Sequence, residues 1–393
     1  MRLDIGWLDL ACGWISSLWA RDSRAMANRV ETRWSPDGDS LACLSVRSGL
    51  DLLLRALKLP PGSEVLYSAV TIPDMVQVAR QNGLQPVPVD LSGADLHIDL
   101  DALSRAISPR SRVLVVAHLF GARPDLSAIL ERAHGAGLFV VEDCAQAWCG
   151  PEYRGDPRAD ASLFSFGTIK TMTALGGALA RVGDRSLREQ MLSLQSAQPV
   201  ESQSAFRAKF LNATMLKAIS TRPVFTPLTW LARLRGLTVE QLLNKMTQGF
   251  PGNDLMQQLR RQPCAALLQF LDRRMRNYDE RPVRNRIAHA QFLRQQGSLD
   301  ESMAELGDSN HTFWLFPYQS AAPQQLVERL AQAGIDSTRY GRLEVVPAPQ
   351  DRPELDCSSA RSILDRIVFL PCYPEMSQRA MQRICQVLEE ETA

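Results

Sequence analysis

One stretch, residues 141–177 (VEDCAQAWCGPEYRGDPRADASLFSFGTIKTMTALGG), limits what this chain can become more than any other. The apolar run 138–141 ahead of it carries Glu142 and Asp143 to its end, as a buried parallel strand would. Gln146 follows Asp143 by three residues, and 161–166 alternates small and apolar residues like a second strand. Ser165 lies five residues before Lys170, which stands just ahead of the Gly176-Gly177 pair. An acid at a strand end, then a lysine on a loop after a serine-bearing strand, suits pyridoxal phosphate chemistry. The lysine forms a Schiff base, the carboxylate pairs with the pyridinium nitrogen, and hydroxyls and backbone amides hold the phosphate.

Two motifs in this order and at this separation, Glu142-Asp143-Cys144-Ala145-Gln146 and Ser165-Phe166-Gly167-Thr168-Ile169-Lys170, carry a family resemblance. They resemble the E-D-x-A-[QH] and S-F-x-x-x-K signatures of the DegT/DnrJ/EryC1/StrS sugar aminotransferases, a branch of the fold-type I pyridoxal phosphate enzymes. The resemblance implies Lys170 and Asp143 as catalytic residues, Gln146 near the ring oxygen and Ser165 on the phosphate. Upstream, 41–59 reads as a strand leading into a helix that starts near Ser48-Gly49, and a helix start is a natural phosphate seat. The family has S-G-T or N-G-T here. Ser48 and Gly49 match, while Leu50 replaces the hydroxyl residue and leaves backbone amides to serve. Thr71 matches too, but Ile72 stands where the family places an aromatic on the cofactor ring, so dispersion replaces stacking. His118-Leu119-Phe120-Gly121 matches the family's H-L-[YF]-G turn, with a catalytic and a structural role both open for His118. Leu175 stands where an acid is usual, and 249–253 only partly echoes a G-[YF]-N-x-R segment.

Between residues 64 and 141 strand-like runs alternate with helical stretches, which implies a doubly wound, mainly parallel sheet. With the resemblance, the expected class is α/β, fold-type I aminotransferase-like, with a mainly parallel seven-stranded sheet in the large domain and a smaller α+β C-terminal domain. The expected divisions are an N-terminal helical segment (1–40), a cofactor-binding domain (41–256) with a basic, apolar helical insertion at about 195–256, and a small domain (257–393). Residues 264–278 read as the long helix linking the last two, and 312–319 as a strand.

A net charge of +1 gives no global electrostatic case for nucleic acid. Eight cysteines without a C-x-x-C pair, beside only five histidines, read as reduced thiols of a cytoplasmic protein, with no metal expected. Asp4 and Asp9 break the pattern of a secretory signal, and no apolar run reaches the ~20 residues that span a bilayer.

Two segments stay ambiguous. Residues 1–22 read as a helix apolar almost all round, with Trp7, Trp14 and Trp19, and only Asp9, Gly13 and Ser16 as a polar strip. Such a helix is either buried against the body or a second subunit, or an interfacial anchor. Residues 209–245 hold Glu240 as their only acid. They read either as an insertion with a solvated basic face or as a docking surface for anionic lipid or a long apolar substrate. Peripheral membrane contact through 1–22 and 209–245 therefore stays open.

Dehydratases of the resembled family replace the lysine with histidine, so Lys170 favours amino transfer. The resemblance implies an amino acid donor, L-glutamate, a nucleotide-linked keto-sugar as carbonyl acceptor, and a homodimer. Two alternatives stand beside it: a pyridoxal phosphate enzyme acting on a lipid-linked or long-chain ketone or aldehyde, and a non-catalytic regulatory homologue.

Overall fold

A computed structural model describes residues 3–19, 22–92, 96–219, 254–296, 310–339, 341 and 343–392. The strands β1 (Ser40–Cys43), β2 (Glu64–Ser68), β4 (Gln85–Val89), β5 (Ser111–Ala117), β6 (Phe139–Asp143), β7 (Ala161–Ser165) and β8 (Ala178–Val182) make one sheet. Their order is β1-β8-β7-β6-β5-β2-β4. β2 pairs in parallel with both β4 and β5, and β5 with β6, whereas β1 runs antiparallel to β8. The mainly parallel seven-stranded sheet expected from the sequence is present. Parallel neighbours need long crossovers, supplied here by α4 (Pro73–Gln81), α5 (Leu100–Ala106) and α6 (Ser127–Gly135). Leu66, Val87, Leu114 and Val140 from four strands are fully buried with Leu103, Leu130 and Ala133 of these helices.

The chain divides into two compact units, Met1–Ala56 with Leu163–Tyr278, and Leu57–Ser162 with Asp279–Ala393. In the first lie α1 (Trp7–Ser16), α2 (Ser23–Trp34), α3 (Val46–Ala56), α7 (Arg185–Ser196), α8 (Gln203–Ile219), α9 (Leu255–Leu259) and α10 (Ala265–Arg276). On α10, Asp272 is buried and takes Arg29 (3.2 Å) and Arg33 (2.5 Å) of α2 and its own Arg276 (2.7 Å). A buried carboxylate left without partners would be costly, so this cluster fixes α2 against α10. Gly13 seats α1, since a Cβ there would lie 2.5 Å from Phe210 and 2.7 Å from Phe270.

In the second unit, β3 (Val70–Thr71) pairs with β10 (Glu344–Val345), and β9 (Phe316–Gln319) with β11 (Ile367–Leu370), both antiparallel. α11 (Arg281–Gln296), α12 (Pro323–Gln332), α13 (Ser358–Arg366) and α14 (Gln378–Thr392) complete it. Leu293, Leu326, Leu330, Val368, Ile384 and Leu388 are its fully or almost fully buried centre. Among the described residues no helix is long and apolar enough to cross a membrane.

Three expectations shift. Residues 1–22 do not form one helix: α1 ends at Ser16, and Asp22 starts α2 by accepting the Arg24 N–H (2.8 Å). α3 begins at Val46, ahead of Ser48-Gly49, because the Ser45 hydroxyl accepts the Ser48 N–H (3.1 Å) as a cap. The strand read at 312–319 starts only at Phe316, since the Thr312 N–H is bonded to Gly121 O (2.9 Å). Residues 220–253, with most of the basic segment and the 249–253 echo, lie outside the described residues.

His311 gives the second unit a pH dependence. Its Nδ1 accepts the Phe313 N–H (2.8 Å), and burial, then the charges of Arg294 and Arg123, hold its pKa down to about 3. The unfolded chain, titrating near 6.5, binds the extra proton first. Stability is therefore full above about pH 6.5 and falls as pH drops toward 3, by up to ~1.4 kcal/mol per unit. Urea midpoints across that window should show the fall. His311→Asn, which keeps an acceptor for Phe313, should flatten it; an unchanged slope would refute the assignment.

Candidate active site

In the first unit, β7 delivers Ser165 to the head of the lysine loop. The loop closes on one residue. Phe166 O accepts the N–H groups of Ala174 (2.9 Å) and Gly176 (3.1 Å), and Phe166 N–H donates to Gly177 O (3.0 Å). Gly177, at φ 85°, supplies a conformation that L side chains rarely adopt, and its N–H reaches Leu44 O (3.1 Å). Leu175, at the position where an acid is usual, is buried with φ 61°. Lys170 sits on a turn, donating its N–H to Gly167 O (3.0 Å), and is half-buried. A Cβ on Gly167 would lie 3.6 Å from Ser165 Oγ and 3.9 Å from Lys170 Cγ, so the hydroxyl and the lysine stem flank one spot.

A side chain of α10 also holds this loop. Arg274 of α10 donates Nε to Thr173 O (3.0 Å), Nη1 to Asp9 Oδ2 (2.6 Å) and Nη2 to Asp4 O (2.7 Å).

The tie between Gly177 and Leu44 brings the loop's base to the residue before Ser45. The Ser45 and Ser48 hydroxyls are 2.9 Å apart at the start of α3. Gly49 N–H is already spent on Ser45 O (2.9 Å) and Leu50 is fully buried. Ser48 N–H is likewise spent, on the Ser45 hydroxyl, so the amides at the helix start are those of Val46 and Arg47, about two residues earlier than the sequence suggested. Gly49 instead gives space, a Cβ there standing 3.4 Å from Leu163.

In the second unit, β6 ends in Glu142 and Asp143. Glu142 is fully buried: its Oε2 accepts Asp156 N–H (2.8 Å) and the Ser162 hydroxyl (2.6 Å), and Oε1 lies 2.9 Å from His118 Nε2. That contact is set off the line of a good hydrogen bond. His118 Nδ1 faces Ala122 O (3.2 Å), which can only accept, so the ring is spent on structure. Cys144 completes a set of ligand-type atoms within 4.8 Å of one another, and the pairing of His118 with Glu142 accounts for it without an ion.

Asp143 is half-buried, with Oδ1 accepting the Ala145 N–H (3.1 Å). Nearby Tyr67 donates to Met75 O (3.1 Å), and its ionisation is pushed far up by burial and then by the Asp143 charge. Gln146 Oε1 accepts the Phe120 N–H (2.6 Å), which leaves the amide NH₂ as the donor that Gln146 can present. The His118–Gly121 turn is therefore the mount for Gln146. It needs its glycine: Gly121 has φ 106°, and a Cβ would come within 2.4 Å of Thr312 Oγ1. Ile72 caps α4 and packs half-buried beside Val70, Leu119 and Phe120.

Hydroxyls at a helix start suit a phosphate, an amine beside them suits an aldehyde, and a carboxylate with an amide donor suits a pyridinium ring. Ser45, Tyr67 and Arg274 were not singled out from sequence. Only Ser45 had a local signal, a capping hydroxyl three residues ahead of Ser48.

The model of the DegT/DnrJ/EryC1/StrS aminotransferase family matches residues 31–229 and 253–389. The chain belongs to that family. Members of the DegT/DnrJ/EryC1/StrS family depend on pyridoxal 5′-phosphate, and this chain is one of them. It is 27 % identical over 184 residues to GDP-perosamine synthase of Escherichia coli O157:H7, covering 45 % of this chain and 50 % of that protein. It is 31 % identical over 160 residues to the UDP-N-acetyl-3-dehydro-alpha-D-glucosamine 3-aminotransferase of Acidithiobacillus ferrooxidans, covering 40 % and 43 %. Both matches span half or less of the relative's length. In fold the chain is similar to the sugar aminotransferase CalS13 of Micromonospora echinospora (TM-score 0.66, 20 % identity, 99 % and 98 % of the two chains). The architecture is fold-type I, as the motifs implied.

Proposed function

We propose that this protein is a pyridoxal phosphate-dependent aminotransferase that moves an amino group from L-glutamate to a nucleotide-linked keto-sugar. The observation that carries the reading is Lys170 on its closed loop, flanking one spot with Ser165. The acceptor class is supported by the names of the two relatives, both of which concern nucleotide sugars. When bound, the cofactor supplies an electron sink for the donor's α-carbon.

Lys170 would hold the cofactor at rest, and once released its Nζ would take and return the α-proton of the substrate. Asp143 would set a carboxylate against the ring's cationic nitrogen, and the NH₂ of Gln146 would donate toward the ring oxygen. Ser165, Ser45, Ser48 and the first-turn amides of α3 would hold the phosphate. Ile72 would cover the ring by dispersion, and Gly49 and Leu50 would shape the helix start rather than donate to it. A homodimer in the cytoplasm belongs to the same reading.

The test is an absorption spectrum before and after L-glutamate. Wild type should show a near-visible cofactor band that glutamate shifts to shorter wavelength, and Lys170→Ala should lack it. A band absent even after incubation with cofactor, or one surviving intact in Lys170→Ala, would overturn the assignment. Turnover of any donor would exclude the non-catalytic alternative.

A further inference from the structure

Helix α1 is docked with its polarity reversed. The polar strip that a surface helix turns to water faces the body: Asp9 is held by Arg274 (2.6 Å) and Arg273 (3.5 Å), and Gly13 rests on Phe210 and Phe270. The helix is also pinned at both ends, by Lys217 on Ile5 O (2.5 Å) and Arg207 on Ser17 O (2.7 Å). What remains outside is Trp7, Leu8, Trp14, Ile15, Leu18 and Trp19, with Leu211 and Met215 of α8 alongside, between 41 and 71 % exposed. No exposed residue of α1 or α8 carries a charge. Ordinary amphipathic helices show the opposite arrangement, and an apolar face of this kind marks a docking surface.

Its chemistry favours a bilayer. Three of the exposed side chains are indoles, whose flat apolar body and single N–H donor suit the headgroup boundary. Among the described residues, cations beside it include Lys217, 5.5 Å from the centre of the Trp7 ring, and Arg207, both half-exposed. With no exposed acid on either helix, this border complements anionic headgroups. A second copy fits less well, because a two-fold interface centred on this face would set the same cations against each other.

We propose that the α1–α8 face seats the protein on membranes containing anionic phospholipid. Trp7, Trp14 and Trp19 enter the headgroup boundary, and Lys217 and Arg207 meet lipid phosphates. The protein lies on the surface and does not span it.

The experiment is flotation of the full-length protein with phosphatidylcholine vesicles, with and without phosphatidylglycerol. The protein should float with the anionic vesicles, less so at high salt, and its tryptophan emission should be quenched by brominated acyl chains. The double variant Leu8→Glu/Ile15→Glu should lower vesicle affinity roughly tenfold or more and leave the cofactor band unchanged. That band is read separately, so failure here would not touch the aminotransferase reading. Wild type that stays with neither vesicle, or a variant that floats as well as wild type, would overturn the proposal. So would a wild-type dimer, indifferent to vesicles, that the double variant splits into monomers, since the face would then join copies of this chain.

Discussion

Asp143→Asn is expected to lower turnover roughly 10²–10³-fold while the urea midpoint stays within error of wild type. The asymmetry follows from what each state asks of the side chain. Folding uses Asp143 as a half-buried acceptor for the Ala145 N–H, and an asparagine oxygen can take that bond. Catalysis, in the proposed role, uses its charge, because a neutral amide cannot balance a cationic ring nitrogen. Steady-state rates with glutamate, measured beside a denaturation curve, separate the two. Turnover close to wild type would remove Asp143 from the site. Equal loss of stability and rate would make its role structural.

The largest stability effect should come from His118→Ala. Glu142 is fully buried and accepts two hydrogen bonds on one oxygen, while the imidazole stands opposite the other. A buried carboxylate stripped of its partner costs about 3–5 kcal/mol. Adding Glu142→Gln should recover part of that loss, because an amide needs no counter-charge and keeps an acceptor for Ser162 and the Asp156 N–H. Urea titrations of wild type, both single variants and the double give the coupling directly. A loss below ~1 kcal/mol for His118→Ala would mean that water or another group replaces the ring.

The placement of Asp143 and Lys170 was legible because an apolar run and an alternating one mark the strands ahead of them: β6 ends at Asp143, and Lys170 lies on the loop after β7. The parallel sheet was legible for a similar reason, since strands buried on both faces read as unbroken apolar runs.

Elsewhere the deciding partner was distant or the local signals competed. Ser45 and Ser48 are both good caps, and only the fold shows that Ser45 starts the helix while the Gly49 N–H is already committed. Whether His118 was catalytic or structural turned on Glu142, on the neighbouring strand. The facing of α1 was hidden for a subtler reason. Its polar strip of Asp9, Gly13 and Ser16 looks like the wet side, and turns inward only because Arg273 and Arg274, far along the chain, supply charge where apolar packing would be expected.

Arg274 also changes what the amino-terminal helix is. One planar group grips Asp9 and the Asp4 carbonyl with its tips and Thr173, three residues past Lys170, with its elbow. Trimming the first sixteen residues to obtain a tidier protein would not remove an appendage. It would leave a largely buried cation with nothing at its tips, behind the very backbone that aims the lysine. A truncated preparation could then fold, bind cofactor loosely and be misread as a poor enzyme, its defect lying in the missing clamp.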